Sequence, residues 1–140
     1  MKYERVMIVD DNEVDNFVTR RSLELAGLCS DVSTFFTGRE ALDYLIKHQS
    51  TPSKLPELIF LDLYMPVVDG FVFLFEFEEL PEQIKELCSI VVLSSAIDKK
   101  NINKIKKNVL VKDYISKPMT EAAIKNLQRV IPPSHTMGNR

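Results

Sequence analysis

The sequence predicts an α/β fold in which five parallel strands form one sheet with helices on both faces. Short apolar segments alternate with amphipathic helical segments along the chain. Residues 6–9 and 58–61 are unbroken apolar runs, which are typical of strands buried on both faces. Parallel strands are joined by right-handed crossovers, so their helices must cover both faces of the sheet. We therefore predict a single doubly wound domain.

The first half of the chain is predicted to hold three strands and two helices. The strand over residues 6–9 is broken by Asp10-Asp11-Asn12, whose side chains can cap a helix that runs to about Gly27, a natural C-cap. Residues 30–36 form a more polar strand, which is expected near an edge of the sheet. Residues 38–48 form a helix because their apolar side chains recur at helical spacing. A loop over residues 49–56 then leads to the strand at 58–61.

The segment after Gly70 fits two periodicities. Phe71, Phe73, Phe75 and Phe77 alternate with period 2, as in a strand. The helical pattern accounts for more of the segment, because Phe73, Leu74, Phe77 and Leu80 then share one face, and Pro81 ends the element. We predict a helix, with Phe71 and Phe75 off its main apolar face.

The second half continues the alternation of strands and helices. Residues 89–93 form the fourth strand, residues 98–108 a Lys-rich fourth helix, and residues 109–115 contain the fifth strand. Thr120 caps a last helix that runs to about residue 131, where two prolines stop it. The predicted domain spans residues 1–131, and residues 132–140 form a C-terminal tail without an output domain.

Composition narrows the classes of function. The 18 Lys and Arg residues nearly balance the 20 Asp and Glu residues, which gives a formal charge of −2 and argues against a dedicated nucleic-acid binder. No apolar run approaches a signal peptide or a membrane span. Cys29 and Cys88 are too few for a disulfide framework and suit a reducing compartment. We expect a cytoplasmic protein.

Chemically versatile residues stand at the carboxyl ends of the predicted strands. In an open parallel sheet, ligands bind at this edge, where the strand order reverses. The residues that follow the first, third, fourth and fifth strands are Asp10 and Asp11, Asp62, Ser94, and Lys117. Singly, these residues are also consistent with helix caps, turn residues and solvated charges. Together they predict one polar site.

This set of side chains fits phosphoryl transfer to a carboxylate. Three neighbouring carboxylates repel one another unless a cation lies between them, and Mg²⁺ prefers oxygen ligands. A carboxylate can attack phosphorus to give an aspartyl phosphate. Catalysis of that step consists mainly of positioning and charge neutralisation, which Mg²⁺, a lysine ammonium and a serine hydroxyl can supply.

Four motifs at these positions resemble those of the receiver domains of two-component response regulators, including stand-alone, chemotaxis-regulator-like members. They are IVDDN (8–12), LDLYMPVVDG (61–70), VLSSA (92–96) and YISKP (114–118), and the likeness runs from about residue 3 to 131. The resemblance implies a flavodoxin-like sheet with strand order 2-1-3-4-5.

The resemblance also implies a role for each matching residue. Asp62 is the phosphoacceptor, Ser94 is the switch hydroxyl that closes onto the phosphoryl group, and Lys117 pairs with that group. Tyr114 is the switch aromatic that swings inward, and the bond before Pro118 is cis. Mg²⁺, which Mn²⁺ can replace, is held directly by Asp11, mainly through water by Asp10, and also by the Asp62 side chain and the backbone carbonyl of Tyr64. Tyr64 and Ala96 occupy positions that tune the phosphoryl lifetime, which leaves that lifetime open here.

The resemblance predicts a single-domain response regulator that is a signalling protein and catalyses only its own phosphorylation and dephosphorylation. Its donor would be a histidine kinase or phosphotransfer protein, and it would be a monomer or a phosphorylation-dependent dimer that binds no nucleic acid or membrane. The downstream partner would be an acidic protein bound to the face of the fourth helix, fifth strand and last helix, where lysines cluster. The alternatives are a phosphorylation-independent pseudo-receiver and an Asp-nucleophile phosphohydrolase. The second normally needs another Asp two residues after the nucleophile, where Tyr64 stands.

Overall fold

The computed structural model describes residues 2–64, 69–94 and 99–133. All five strands lie in one parallel sheet with the order β2-β1-β3-β4-β5, which confirms the predicted fold class and places the polar second strand at an edge. The strands are β1 (Tyr3–Val9), β2 (Cys29–Phe35), β3 (Leu58–Leu61), β4 (Ser89–Ser94) and β5 (Val111–Ser116).

Six α-helices cover the sheet within the described ranges. They are α1 (Glu13–Leu25), α2 (Gly38–Lys47), α3 (Gly70–Glu78), α4 (Glu82–Leu87), α5 (Lys99–Lys107) and α6 (Glu121–Val130), and a short 3₁₀ helix spans Pro52–Lys54. The sequence did not predict α4 or the 3₁₀ helix, so the predicted fourth helix is α5. Several predicted features lie outside the described residues, namely the start of α5 at Asp98, the loop at residues 65–68, the positions of Ser95 and Ala96, and most of the tail. Among the described helices, none is long and apolar enough to cross a bilayer.

The helix ends follow from local chemistry. The side chains of Asn12, Thr37, Asp69 and Thr120 each accept a hydrogen bond from a backbone N–H in the first turn of the helix that they cap. The first helix ends at Leu25, two residues before Gly27, and its C-cap is Ala26 rather than the predicted Gly27. Gly27 follows at a φ of +66°, and the amides of Gly27 and Leu28 donate to carbonyls in the last turn of α1.

The sheet separates two main apolar clusters because alternate strand residues point to opposite faces. In β1, Met7 and Val9 pack on one face, whereas Val6 and Ile8 pack on the other. Helices α2, α3 and α4 cover the first face, and α1 and α6 cover the second. A third, smaller cluster lies under α5 and consists of Leu63, Val92 and Ile105, with Phe71, Val111 and Tyr114 packed against it.

The buried thiol of Cys88 makes the free energy of unfolding depend on pH in the alkaline range. Burial raises the pKa of its thiol from 9.0 to about 12. Well below pH 9 the thiol is protonated in both states and has no effect. Above this pH the unfolded chain loses a proton that the native protein keeps. The free energy of unfolding therefore falls as pH rises, by at most about 1.4 kcal/mol per pH unit from this group.

Urea denaturation at about pH 8 and about pH 10 should show this loss of stability in the wild type. Cys88→Ala should be less stable than the wild type at the lower pH but should lose less stability between the two. Parallel pH profiles of the two proteins would contradict this assignment.

Candidate functional site

Backbone hydrogen bonds just beyond the strand ends hold the predicted site residues at one edge of the sheet. Asp10 and Asp62 directly follow β1 and β3, and the Asp62 amide donates to the Val9 carbonyl at 3.0 Å. Ser94 ends β4, and its carbonyl accepts from the Lys117 amide at 3.0 Å. The side chains are thus attached to the ends of rigid strands.

Asp10, Asp11 and Asp62 form an acidic cluster in which ligand oxygens of all three side chains lie within 4.8 Å of one another. Asp10 is 2% exposed and Asp62 is 8% exposed, whereas Asp11 is exposed. The Asp10 carboxylate also accepts from the Asn12 amide at 2.9 Å. Burial strengthens the repulsion among these charges, so the cluster requires cations.

The Lys117 ammonium is one such cation. Its Nζ lies 2.5 Å from Asp10 Oδ2, 2.8 Å from Asp15 Oδ2 and 3.6 Å from Asp62 Oδ2. Burial by itself lowers the pKa of Lys117, but the hydrogen bonds to Asp10 and Asp15 and the charge of Asp62 raise it overall. Lys117 is therefore charged at neutral pH. The peptide bond between Lys117 and Pro118 is cis.

The Asp62 carboxylate has donors on two sides. Its Oδ1 accepts from the Ser94 hydroxyl at 3.3 Å and from the Tyr64 amide at 3.2 Å. Burial raises the pKa of Asp62, the Tyr64 amide and Lys117 lower it, and Asp10 raises it again, with a net upward shift. The ionised carboxylate is thus less stable here than in water.

Gly70 lets the chain after Asp62 pack closely against the start of α3. A Cβ at residue 70 would lie 2.5 Å from the Leu63 Cα and 3.0 Å from the Asp62 carbonyl oxygen. The Gly70 amide donates to the Leu63 carbonyl at 2.8 Å. A side chain at this position would displace the backbone beside Asp62.

The acidic cluster fits a hard divalent cation. Octahedral Mg²⁺ binds oxygens at 2.0–2.1 Å, so two of its ligands are at most about 4.2 Å apart. The 4.8 Å span of the three carboxylates needs only a small side-chain movement to meet that limit. All three donors are carboxylate oxygens, which suit Mg²⁺ and Mn²⁺. The ion would compete with Lys117 for the Asp10 carboxylate.

Tyr114 lies away from the acids, on the α5 side of the sheet. It pairs with Val92 in the register of β4 and β5, and its half-buried ring packs against the third cluster. Lys106 Nζ lies 5.8 Å from the centroid of this ring. Lys104 Nζ similarly lies 4.3 Å from the centroid of Phe71. The sequence did not predict these two cation–π contacts.

Helix α1 also contributes to the site, which the sequence did not predict. Asp15 binds Lys117, and the buried Asn16 amide donates from Nδ2 to the Asp10 carbonyl at 2.7 Å. Both residues lie in the first turn of α1, which begins just after Asp10 and Asp11. This nearness in sequence was the signal that could have indicated their role at the site. Helix α1 also carries four exposed large apolar side chains, Val14, Phe17, Val18 and Leu25.

Comparison with known proteins identifies the family. The model of the response regulator receiver domain matches residues 6–129. The chain is 28% identical to FilR2, a probable methanogenesis regulatory protein of Methanothrix harundinacea, over 86% of this chain and 76% of that protein. It is 30% identical to DctR, a probable C4-dicarboxylate response regulator of Halalkalibacterium halodurans, over 86% of this chain but only 48% of DctR.

A solved structure agrees in both sequence and fold. The response regulator receiver protein of Dyadobacter fermentans is 29% identical to this chain, with a TM-score of 0.80 over 92% of this chain and 98% of that one. The match to the family model covers the sheet from Val6 onwards, the acidic cluster and Lys117. This chain therefore belongs to the response regulator receiver domains, which are phosphorylated on an aspartate in two-component signalling.

Proposed function

We propose that this chain is a single-domain response regulator that accepts a phosphoryl group on Asp62 from a phosphohistidine of a kinase or phosphotransfer protein. One observation carries this proposal: the Asp62 carboxylate is buried between two other acids, a hydroxyl and an ammonium. Asp62 is the acid in the cluster that also contacts Ser94 and the Tyr64 amide. It is therefore the best placed to become the nucleophile.

The proposed reaction forms one bond and breaks another. An Asp62 carboxylate oxygen attacks the phosphorus, and the electron pair of the P–N bond returns to the donor imidazole. The product is an acyl phosphate on Asp62. Lys117 and the Ser94 hydroxyl are placed to neutralise and hydrogen-bond the phosphoryl oxygens.

Receiver domains bind Mg²⁺ at an aspartate cluster, and Asp10, Asp11 and Asp62 form such a cluster here. In the proposal these side chains and the Tyr64 carbonyl hold the ion. When bound, Mg²⁺ neutralises charge on the phosphoryl oxygens. The buried Asn16 amide keeps the Asp10 backbone in place through its hydrogen bond.

The proposed output is a shift between two conformations. Phosphorylation draws Ser94 and Lys117 towards the new group, and Tyr114 reports the change to the face formed by α5, β5 and α6. The exposed lysines on this face, Lys104, Lys106, Lys107 and Lys112, favour an acidic protein partner. The exposed apolar side chains of α1 begin beside the acids, which supports a protein as the phosphodonor.

Intact-mass measurement after incubation with Mg²⁺ and acetyl phosphate tests the acceptor assignment. The wild type should gain the mass of one phosphoryl group, and Asp62→Asn should gain none because an amide is a poor nucleophile. Asp43→Asn is the matched control, because Asp43 is an exposed carboxylate on α2, and it should react like the wild type. Equal labelling of Asp62→Asn and the wild type would overturn the assignment.

Intact-mass measurement together with beryllium fluoride binding tests the pseudo-receiver alternative. A wild type that neither gains mass nor binds beryllium fluoride in Mg²⁺ would be a phosphorylation-independent pseudo-receiver. Backbone amide NMR spectra with and without beryllium fluoride test whether the face formed by α5, β5 and α6 changes. Unchanged shifts across α5, β5 and α6 would refute the proposed switch.

A further inference from the structure

Lys117 is bound by a carboxylate outside the acidic cluster. Asp15 lies in the first turn of α1, and its Oδ2 is 2.8 Å from Lys117 Nζ. The distance from the same nitrogen to Asp62 Oδ2 is 3.6 Å, which is beyond hydrogen-bond length. The ammonium is therefore held on the α1 side of the site, away from the proposed phosphoacceptor.

A divalent ion and a phosphoryl group each require a change in the contacts of Lys117. A divalent ion needs the Asp10 carboxylate, which Lys117 contacts at 2.5 Å. A phosphoryl group on Asp62 needs the ammonium itself. Asp15 provides the ammonium with a place to remain when Asp10 turns to the ion, but it also retains the ammonium when the phosphoryl group arrives.

We propose that Asp15 is a positioning residue for the Lys117 ammonium. By holding the ammonium on the α1 side of the site, Asp15 favours Mg²⁺ binding at Asp10 and opposes a phosphoryl group at Asp62. The inference rests on the proposed function of the site. It makes Asp15 a determinant of how strongly the site retains the phosphoryl group. Neither Mg²⁺ nor the phosphoryl group touches Asp15 in this scheme.

The surroundings of Asp15 suit a partner that can release the ammonium. The Asp15 side chain is 37% exposed, whereas the Asp10 side chain is only 3% exposed. An open cavity of about 330 Å³ is lined by Asp15, Val18, Thr19, Lys117 and Pro118. Water can therefore solvate Asp15 after Lys117 leaves, but Asp10 needs a cation at all times. Asn12 accepts from the Asp15 amide at 2.9 Å, which fixes the backbone at this position.

Asp15→Asn tests the inference because it removes the charge and keeps the shape. The variant should bind Mg²⁺ about three- to tenfold more weakly, because Lys117 then stays on Asp10. At saturating Mg²⁺ it should bind beryllium fluoride, an anionic mimic of the phosphoryl group, about three- to tenfold more tightly. Backbone amide NMR titrations measure both affinities without any turnover.

Glu13→Gln is the matched control. Glu13 is an exposed acid in the same first turn of α1, so this change removes one nearby negative charge and leaves Lys117 alone. It should leave both affinities close to those of the wild type. Circular dichroism melts of all three proteins should confirm that they are folded.

The contrast between Asp15→Asn and Glu13→Gln identifies the role, because the loss of any nearby negative charge weakens cation binding and strengthens anion binding. Asp15→Asn would overturn the inference if both affinities stayed unchanged or if both moved in the same direction. Equal effects of Glu13→Gln would also overturn it, because a general charge effect would then explain the data. A wild type that binds Mg²⁺ but no beryllium fluoride would refute the proposed function, whereas weaker Mg²⁺ binding by Asp15→Asn would still support Asp15 as a site for the ammonium.

Discussion

Lys117→Ala is expected to weaken the binding of beryllium fluoride in Mg²⁺ by at least about 30-fold. The Lys117 side chain is 10% exposed, and the described residues place no other Lys or Arg side chain in an ion pair with Asp10 or Asp62. Truncating one partner of a buried, hydrogen-bonded charge pair costs about 2–5 kcal/mol, which corresponds to that factor or more. Titrations followed by backbone amide NMR measure the loss.

The same substitution is expected to lower the free energy of unfolding in EDTA by about 3–5 kcal/mol, because Asp10 and Asp62 lose the cation that compensates them. Saturating Mg²⁺ should restore part of the stability, since the ion binds the native acids. Urea denaturation with and without Mg²⁺ measures both effects.

Lys112→Ala is the matched control for both experiments. Lys112 is an exposed lysine on β5, the strand that precedes Lys117. Its change should leave stability and binding nearly unaltered. If Lys117→Ala bound beryllium fluoride as well as the control, Lys117 would have no part in holding the phosphoryl group.

The core of the site could be predicted because topology alone brings its residues together. Asp10, Asp62, Ser94 and Lys117 each stand at the carboxyl end of a parallel strand, so the sheet places them at one edge whatever the details of packing. Asp15 could not be assigned in this way. Its contact with Lys117 depends on the direction in which α1 leaves the sheet, which tertiary packing decides.

The elements missed or misjudged in the sequence share weak local patterns. Helix α4 has six residues, of which only Ile84 is buried, so it lacks the length for a recognisable apolar period. Strand β1 begins at Tyr3, three residues before the apolar run. The sequence did not predict this start because Glu4 and Arg5 are polar. The Tyr3 ring is buried, and its hydroxyl donates to the Ile131 carbonyl beyond α6. Such a long-range contact leaves no local signature.

The phenylalanines of α3 decide between two periodicities, and the structure confirms the helix. Phe73 and Phe77 are buried against α2 and the sheet, together with Leu74. Phe71 packs partly against the third cluster, and Phe75 is exposed. In a strand, all four rings would lie on the same face. The helix instead separates rings two residues apart, so their truncation should have very different costs.

Phe73→Ala is expected to lower the free energy of unfolding by about 3–5 kcal/mol, because it removes a fully buried ring and leaves a cavity. Phe75→Ala is the matched control, since the same atoms are removed from a side chain that is 70% exposed. Its effect should stay within about 0.5 kcal/mol. Urea denaturation of the two variants measures the difference. Similar costs at both positions would mean that the rings share one face, and the helical packing of α3 would then be wrong.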